Sequence, residues 1–226
     1  FRAFVEAGFG TQLNAPVTNS GAHPNLPGSG WTAAWNIDLA ADKAALYTLL
    51  TQHYTTQDAN CLWTNTAGAF ENRAMNCIDW LEAFAFCIWD GGFLPTEAEW
   101  NYAAMGGTNY WTYPWGNQSP DATLAVFGGA SGSAVVGSAS PAGDGRFGQS
   151  DLAGNRWEFY LDAYTATPVT PCTDCAYLDP VSAGRGIRGG GWASQASTLR
   201  SYDPSPYEYP RTMRTYAFGA RCARRL

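Results

Sequence analysis

The sequence predicts an α+β domain, compact and mixed, with much irregular backbone. Three observations point there. Two stretches carry both a helix start and a helix stop within about a dozen residues. Aromatic residues are abundant, with 10 Trp, 12 Tyr and 11 Phe in 226 residues. And 25 Gly and 13 Pro punctuate nearly everything else, so long periodic elements have little room.

The elements follow in chain order. RAFVEAG reads as the end of a helix stopped by Gly8. A polar loop punctuated by Pro and Gly runs on to Trp31. Residues 42 to 53 suit a short helix capped by Asp42, because Leu46, Leu49 and Leu50 share one face. DWLEAFAFCIWDGG and TEAEWNYAAMGG are stronger. Asp79 with Glu82, and Thr96 with Glu99, match the pattern in which a cap accepts from the third residue and that residue's acid reaches back. Gly91, Gly92, Gly106 and Gly107 end these two helices. Beyond Tyr113 turns and short strands are expected, with a glycine-rich stretch over residues 128 to 137.

Composition bounds the function. Hydrophobic residues make up 46% and charged residues 14%, which describes a globular and not a disordered chain. A net charge of -6 argues against nucleic acid and anionic membranes, whose phosphates call for a basic stripe. No run of about 18 apolar residues is present to span a bilayer. The start at Phe1, without Met or a signal segment, reads as a mature or truncated product. Six cysteines, including CTDC at Cys172 and Cys175, allow three disulfides or a zinc site. Zinc needs four ligands, and a second CxxC or a nearby His pair is missing, so disulfides and an extracytoplasmic setting (secreted, periplasmic or cell-surface) are favoured.

Five ordered blocks carry a family resemblance: NCIDWLEAFAFCIWDGGFLPTEAEWNYAAMGG, then YPWG (113 to 116), FGQSDLAGNRWEF (147 to 159), RGIRGGGW (185 to 192) and GARCAR (219 to 224). Together they resemble the signature of the formylglycine-generating-enzyme, or sulfatase-modifying-factor, family. The resemblance implies a single domain over residues 1–226, related to the C-type-lectin fold, whose first strands would precede Phe1. It pairs Cys87 with Cys222. Proximity then suggests Cys61 with Cys77 and Cys172 with Cys175, out of fifteen possible connectivities.

In the matching family segment one calcium ion is bound at the positions of Asp151, the carbonyls of Gly154 and Arg156, and Glu158. Hard oxygens converging on a tight glycine-containing turn suit that ion. The alternative is that Glu158 caps or pairs with an arginine and Asn155 only turns the chain. A second family calcium site is not carried over, because Val126 and Gly128 stand near its places.

The family's oxidases hold copper(I) between two cysteines after the RGG block, and Ser194 and Leu199 stand at those positions. No copper is therefore expected. Other family oxygenases use iron held by histidines, and His23 and His53 are too few to form a three-histidine site; His23, beside Pro24, reads as a solvent-facing loop residue. No serine-hydrolase, zincin or phosphate-loop motif occurs. Phe93, Asn101, Gly191 and Ala220 depart from the family's usual residues and read as lost surface pairs and lost packing.

The expectation is a secreted or surface-exposed, calcium-stabilised domain with a binding or structural role and no formylglycine-forming activity, its partner a protein or glycan. Its ligand surface would be drawn from Trp192, Tyr202, Tyr207, Tyr209, Arg211 and Arg214. The alternative is a metal-dependent oxidase of the family acting on a protein or peptide.

Overall fold

A computed structural model describes residues 1–225 except 53–60, 130, 131, 166, 168, 183 and 204–206. Its element order is four helices, then four strands: α1 (Arg2–Glu6), α2 (Lys43–Thr51), α3 (Trp80–Trp89), α4 (Glu97–Ala104), β1 (Trp157–Ala163), β2 (Gly184–Arg188), β3 (Glu208–Pro210) and β4 (Phe218–Ala220). The strands form one sheet in the order β3-β2-β1-β4. β1 runs antiparallel to β2 and parallel to β4. The architecture is the α+β, loop-rich one that the sequence predicts.

The caps act as their residue types dictate. Asp79 accepts from the Glu82 N–H at 2.8 Å while Glu82 reaches back to the Asp79 N–H at 3.2 Å. Thr96 and Glu99 repeat the arrangement at α4. Past α3, Gly91 takes φ +81° and the Gly92 N–H returns to the Cys87 carbonyl at 2.7 Å, a left-handed helix stop that a Cβ would strain. In α2, Asp42 caps through the Ala45 N–H. Leu46 and Leu50 are buried there, but Leu49 is only half-buried, because a nine-residue helix offers the core a narrower stripe than the spacing suggests. His53, expected at the end of this helix, lies outside the described residues.

α3 is the hub of the core. Trp80, Leu81, Phe84, Ala85 and Cys87 are fully buried, against Phe159 and Leu161 of β1 and Ile187 of β2. Aromatic edges meet faces in series, Trp31 on Trp35 at 5.4 Å, Trp35 on Trp80 at 5.1 Å and Trp80 on Phe84 at 5.3 Å. These are the favoured geometries for ring quadrupoles. β2 approaches β1 so closely that a Cβ on Gly186 would lie 1.6 Å from the Tyr160 hydroxyl, so only glycine fits there.

Phe93, which stands where the family resemblance puts an arginine, is 6% exposed and packs edge-on against His23. His23 is itself 5% exposed. Its Nε2 meets Glu99 Oε1 at 3.0 Å and its Nδ1 accepts from the Asn25 N–H at 3.2 Å, which places the proton on Nε2. The solvent-facing reading of His23 fails because its partners are remote in sequence.

Three disulfides form: Cys61–Cys77, Cys87–Cys222 and Cys172–Cys175. The second closes a separation of 135 residues, tying α3 to the segment after β4. Chain-entropy reasoning gives it about 4 to 5 kcal/mol. Replacing Cys87 and Cys222 together with Ala is therefore expected to lower the unfolding free energy by about that amount in urea titrations. A loss below about 1 kcal/mol would mean that packing alone holds the C-terminal segment on α3.

Candidate functional site

Residues 150 to 158 lead into β1 and hold the predicted calcium ligands. The segment turns sharply because Asp151 and Asn155 both take left-handed φ, at 56° and 58°. Gly154 does so at 82°, where a Cβ would lie 2.5 Å from the Val126 carbonyl. Asp151 Oδ2 accepts from the Gly137 N–H at 2.9 Å and from Asn155 Nδ2 at 3.2 Å. Asn155, 1% exposed, also accepts from the Ala134 N–H. It stitches the glycine-rich stretch to this turn.

Glu158 is buried and heavily engaged. Arg221 grips it twice, Nε to Oε2 and Nη2 to Oε1, both at 2.6 Å, and Trp100 Nε1 donates to Oε2 at 2.8 Å. Arg221 also donates to the Ser150 carbonyl, and Glu158 and Asp151 both raise its pKa against the opposing effect of burial. The Gly154 carbonyl accepts from the Arg156 N–H at 2.7 Å. The Arg156 guanidinium bonds Ser133 Oγ at 2.6 Å and the Tyr216 carbonyl, and burial pulls its pKa down to about 10. A divalent cation entering this turn would compete with the Arg221 guanidinium for Glu158.

The two positions after the RGG block are not a metal site. Ser194 Oγ accepts from the Gly191 N–H at 2.8 Å and closes a turn. Leu199 is 1% exposed and packs with Ala125 and Ala153. No cysteine is free, so no thiolate is at hand for copper(I). Among the described residues no group of three or more His, Cys, Asp and Glu side chains could hold a metal.

Five of the six residues expected to form a ligand surface meet other side chains of the fold. Tyr202 is 48% exposed and lines a cavity. Tyr207 packs on Trp157 at 4.5 Å and Tyr209 on Phe218 at 4.8 Å. Trp192 leans on Tyr216, Arg211 pairs with Asp38, and Arg214 is locked onto Asp79 and Glu82.

Two cavities escape sequence reasoning, because their walls come from segments far apart in the chain. One, of about 340 Å3, lies between α4 and the CTDC loop and is lined by Glu97, Tyr102, Met105, Asp162, Tyr202 and the Cys172–Cys175 disulfide. The other, of about 230 Å3, gathers Trp31, Trp35, Trp80 and Arg185. At the floor of the first, Glu97 pairs with Arg188. Asp162 accepts from the Glu97 N–H at 2.9 Å and the Tyr177 N–H at 2.7 Å, and burial pushes its carboxyl up to about 6.

Comparison with known proteins adds the following. The family model described as "Sulfatase-modifying factor enzyme 1-like domain" matches residues 2–226. A hercynine oxygenase of Mycolicibacterium thermoresistibile is 38% identical over 136 residues, 54% of this chain and 30% of that protein. A formylglycine-generating enzyme of Thermomonospora curvata is 32% identical over 149 residues, 58% and 48% of the two chains. An inactive C-alpha-formylglycine-generating enzyme 2 of Bos taurus is 38% identical over 100 residues, 39% and 33%. The chain thus spans less than half the length of these relatives. The solved structure of PvdO from Pseudomonas aeruginosa shares the fold, with a TM-score of 0.57 at 20% identity over 71% of this chain and 64% of that one.

Two predictions follow from the geometry. Truncating one partner of this pair, buried at Glu158 but 24% exposed at the Arg221 side chain, by Glu158→Gln or Arg221→Met is expected to cost about 1 to 3 kcal/mol in urea unfolding. The double variant should cost less than the sum of the two, giving a coupling of about 1 to 3 kcal/mol. Asp162 has a folded pKa above its unfolded value, so the native state binds the extra proton between about pH 4 and 6. Its contribution is therefore favourable at low pH and is lost as pH rises through that window, on the order of 2 to 3 kcal/mol. Asp162→Asn should flatten that part of the stability–pH curve, and an unchanged slope would show that Asp162 is not its source.

Proposed function

The chain belongs to the sulfatase-modifying factor enzyme 1-like domain family, and from that membership we propose that it serves metal-dependent oxidation of a protein or peptide substrate. The sequence alone led to the opposite expectation, a binding or structural module without oxidase activity. Relatives named as oxygenase and as formylglycine-generating enzyme correct it. The observation that carries the reading is that match, over residues 2–226.

A thiolate copper site at Ser194 and Leu199 does not fit, since one residue closes a turn and the other fills the core. Among the described residues no group of three or more His, Cys, Asp and Glu side chains could hold a metal, and in this proposal the described residues supply the substrate's seat. The cavity between α4 and the CTDC loop is the candidate. Tyr102, Met105 and Tyr202 offer apolar contact, Glu97 and Asp162 polar contact. Stacking of Tyr102 on Phe147 at 6.0 Å props up one wall.

Three disulfides favour an oxidising compartment, so we place the protein outside the cytosol. Among the described residues no helix is long and apolar enough to cross a membrane. Kinship with the C-type-lectin fold and a glycan partner rest on the family resemblance alone. Calcium at Asp151, Gly154, Arg156 and Glu158 is likewise a proposal, and it requires Arg221 to yield part of its hold on Glu158.

Oxygen uptake by the full-length native protein, with cysteine-bearing peptides and with iron(II) or copper(I) supplied in turn, tests the main reading. Metal-dependent uptake with a matching mass change in the peptide is expected, and Tyr102→Ala should raise KM about tenfold or more with little change in melting temperature, from lost aromatic contact. No uptake with any metal would overturn the oxidase reading and align the chain with its inactive relative. For calcium, the melting temperature should fall in chelator and recover with added calcium, and a melt indifferent to both would remove that ion.

A further inference from the structure

The fold treats its three disulfides differently. Cys77 and Cys87 are fully buried, so Cys61–Cys77 and Cys87–Cys222 each have one cysteine sealed in the core. In Cys172–Cys175 the first cysteine is exposed and the second half-buried. That bridge spans a separation of 3, against 16 and 135 for the others, so it removes the least entropy from the unfolded chain.

The loop that carries it is held by other means. The Tyr177 N–H donates to Asp162 Oδ1 at 2.7 Å, the Ala163 N–H to the Tyr177 carbonyl at 2.9 Å, and Asn25 Nδ2 to Asp174 Oδ2 at 2.7 Å. These bonds fix the loop to the end of β1 on one side and to the N-terminal loop on the other. A disulfide that faces solvent and adds little to the fold is of the labile kind.

Its surroundings admit a reactant. Both cysteines line the cavity of about 340 Å3 beside Tyr102 and Tyr202, and Cys172 also lines a neighbouring cavity of about 330 Å3 with Glu99 and Asp174. Cys172 is thus approached from two sides and Cys175 from one. The charged groups on these walls are acidic. Glu97 is paired with Arg188, whereas Glu99, Asp162 and Asp174 are held by uncharged N–H donors that leave their charge in place.

We propose that Cys172–Cys175 is a thiol–disulfide exchange site, reduced by small or peptide thiols that carry a positive charge near the sulfur. A thiolate attacks Cys172 Sγ. A new S–S bond forms, the Cys172–Cys175 bond breaks, and Cys175 Sγ leaves with the electron pair and takes a proton from water. A second thiolate then attacks the incoming sulfur of the mixed disulfide, and Cys172 Sγ leaves in the same way. Two thiols become one disulfide, and two electrons pass to the cysteine pair. An external disulfide resets the pair by the reverse steps. The exchange uses neither metal nor oxygen, so it stands apart from the proposed oxidation.

Reduction of the native protein by cysteamine, with chelator and without oxygen, followed by alkylation and peptide mass analysis, reads each cysteine separately. Cys172 and Cys175 are expected to be labelled about tenfold faster or more than Cys61, Cys77, Cys87 and Cys222. At mildly alkaline pH and equal thiolate concentration, cysteamine should outpace the anionic mercaptopropionate by about fivefold or more, and the gap should close in high salt. In Cys175→Ser, Cys172 should form a mixed disulfide with cystamine faster than Cys175 does in Cys172→Ser. Replacing both cysteines with Ser should lose less stability than removing Cys87 and Cys222. Labelling no faster than at the other four cysteines, a rate blind to the charge of the thiol, or reduction that needs added iron(II) or copper(I) would each overturn the proposal. So would a double-serine variant as destabilised as the one lacking Cys87 and Cys222, since the bridge would then be structural.

Discussion

Arg214 reaches from the C-terminal segment to the first turn of α3, where it bonds both Asp79 and Glu82. These carboxylates are each 2% exposed and form the cap of the most buried helix. Burial, with the neighbouring Glu82 adding to it, raises the Asp79 carboxyl to about 7 even with Arg214 beside it. Without the guanidinium the cap would carry unpaired buried charge. The same segment makes backbone bonds on each side, Cys77 N–H to the Thr215 carbonyl and Trp80 N–H to that of Arg211. β4 follows a few residues later and pairs with β1, and Cys222 then returns to Cys87. Residues some 135 positions apart thereby enclose one helix, and the sheet packs on what they enclose.

The helices were legible because their determinants are local. A cap, a three-residue reach and a terminal glycine all lie within one short stretch, so Asp79 with Glu82 and Thr96 with Glu99 declare themselves. The strands were not, beyond the expectation that they are short and late. β1 is buried on both faces, which erases the alternation that marks a strand in sequence. β3 and β4 are three residues long, too short for any periodicity. His23 was misread for a related reason: Glu99, the group that makes its burial tolerable, lies 76 residues away.

At the site the legible part was the segment, and the hidden part was its partner. Asp151 and Asn155 meet across a turn in which both take left-handed φ, and Glu158 follows it in β1. Pairing of Glu158 with an arginine was the alternative reading, and the structure identifies that arginine as Arg221, beside the disulfide-bonded Cys222. Similarly, Ser194 and Leu199 were identifiable as poor copper ligands by residue type, yet only the fold shows what they do instead. One closes the turn after the RGG block, and the other packs beneath it.

A protein with only 14% charged residues can bury few charges, so how each arginine is satisfied is informative. Arg2, Arg188, Arg211, Arg214, Arg221 and Arg224 each meet a carboxylate. Arg156 lacks one and bonds a hydroxyl and a carbonyl, while its Nε is left buried without a partner. Arg185 has neither solution, only one carbonyl and the faces of two tryptophans. A structural arginine needs satisfied donors, because a buried donor without an acceptor costs more than a neutral isostere of the same shape. Leucine or methionine would fill the space beside Trp80 without that cost. The guanidinium is kept there against that cost, with the Trp80 face at 4.2 Å as its main compensation.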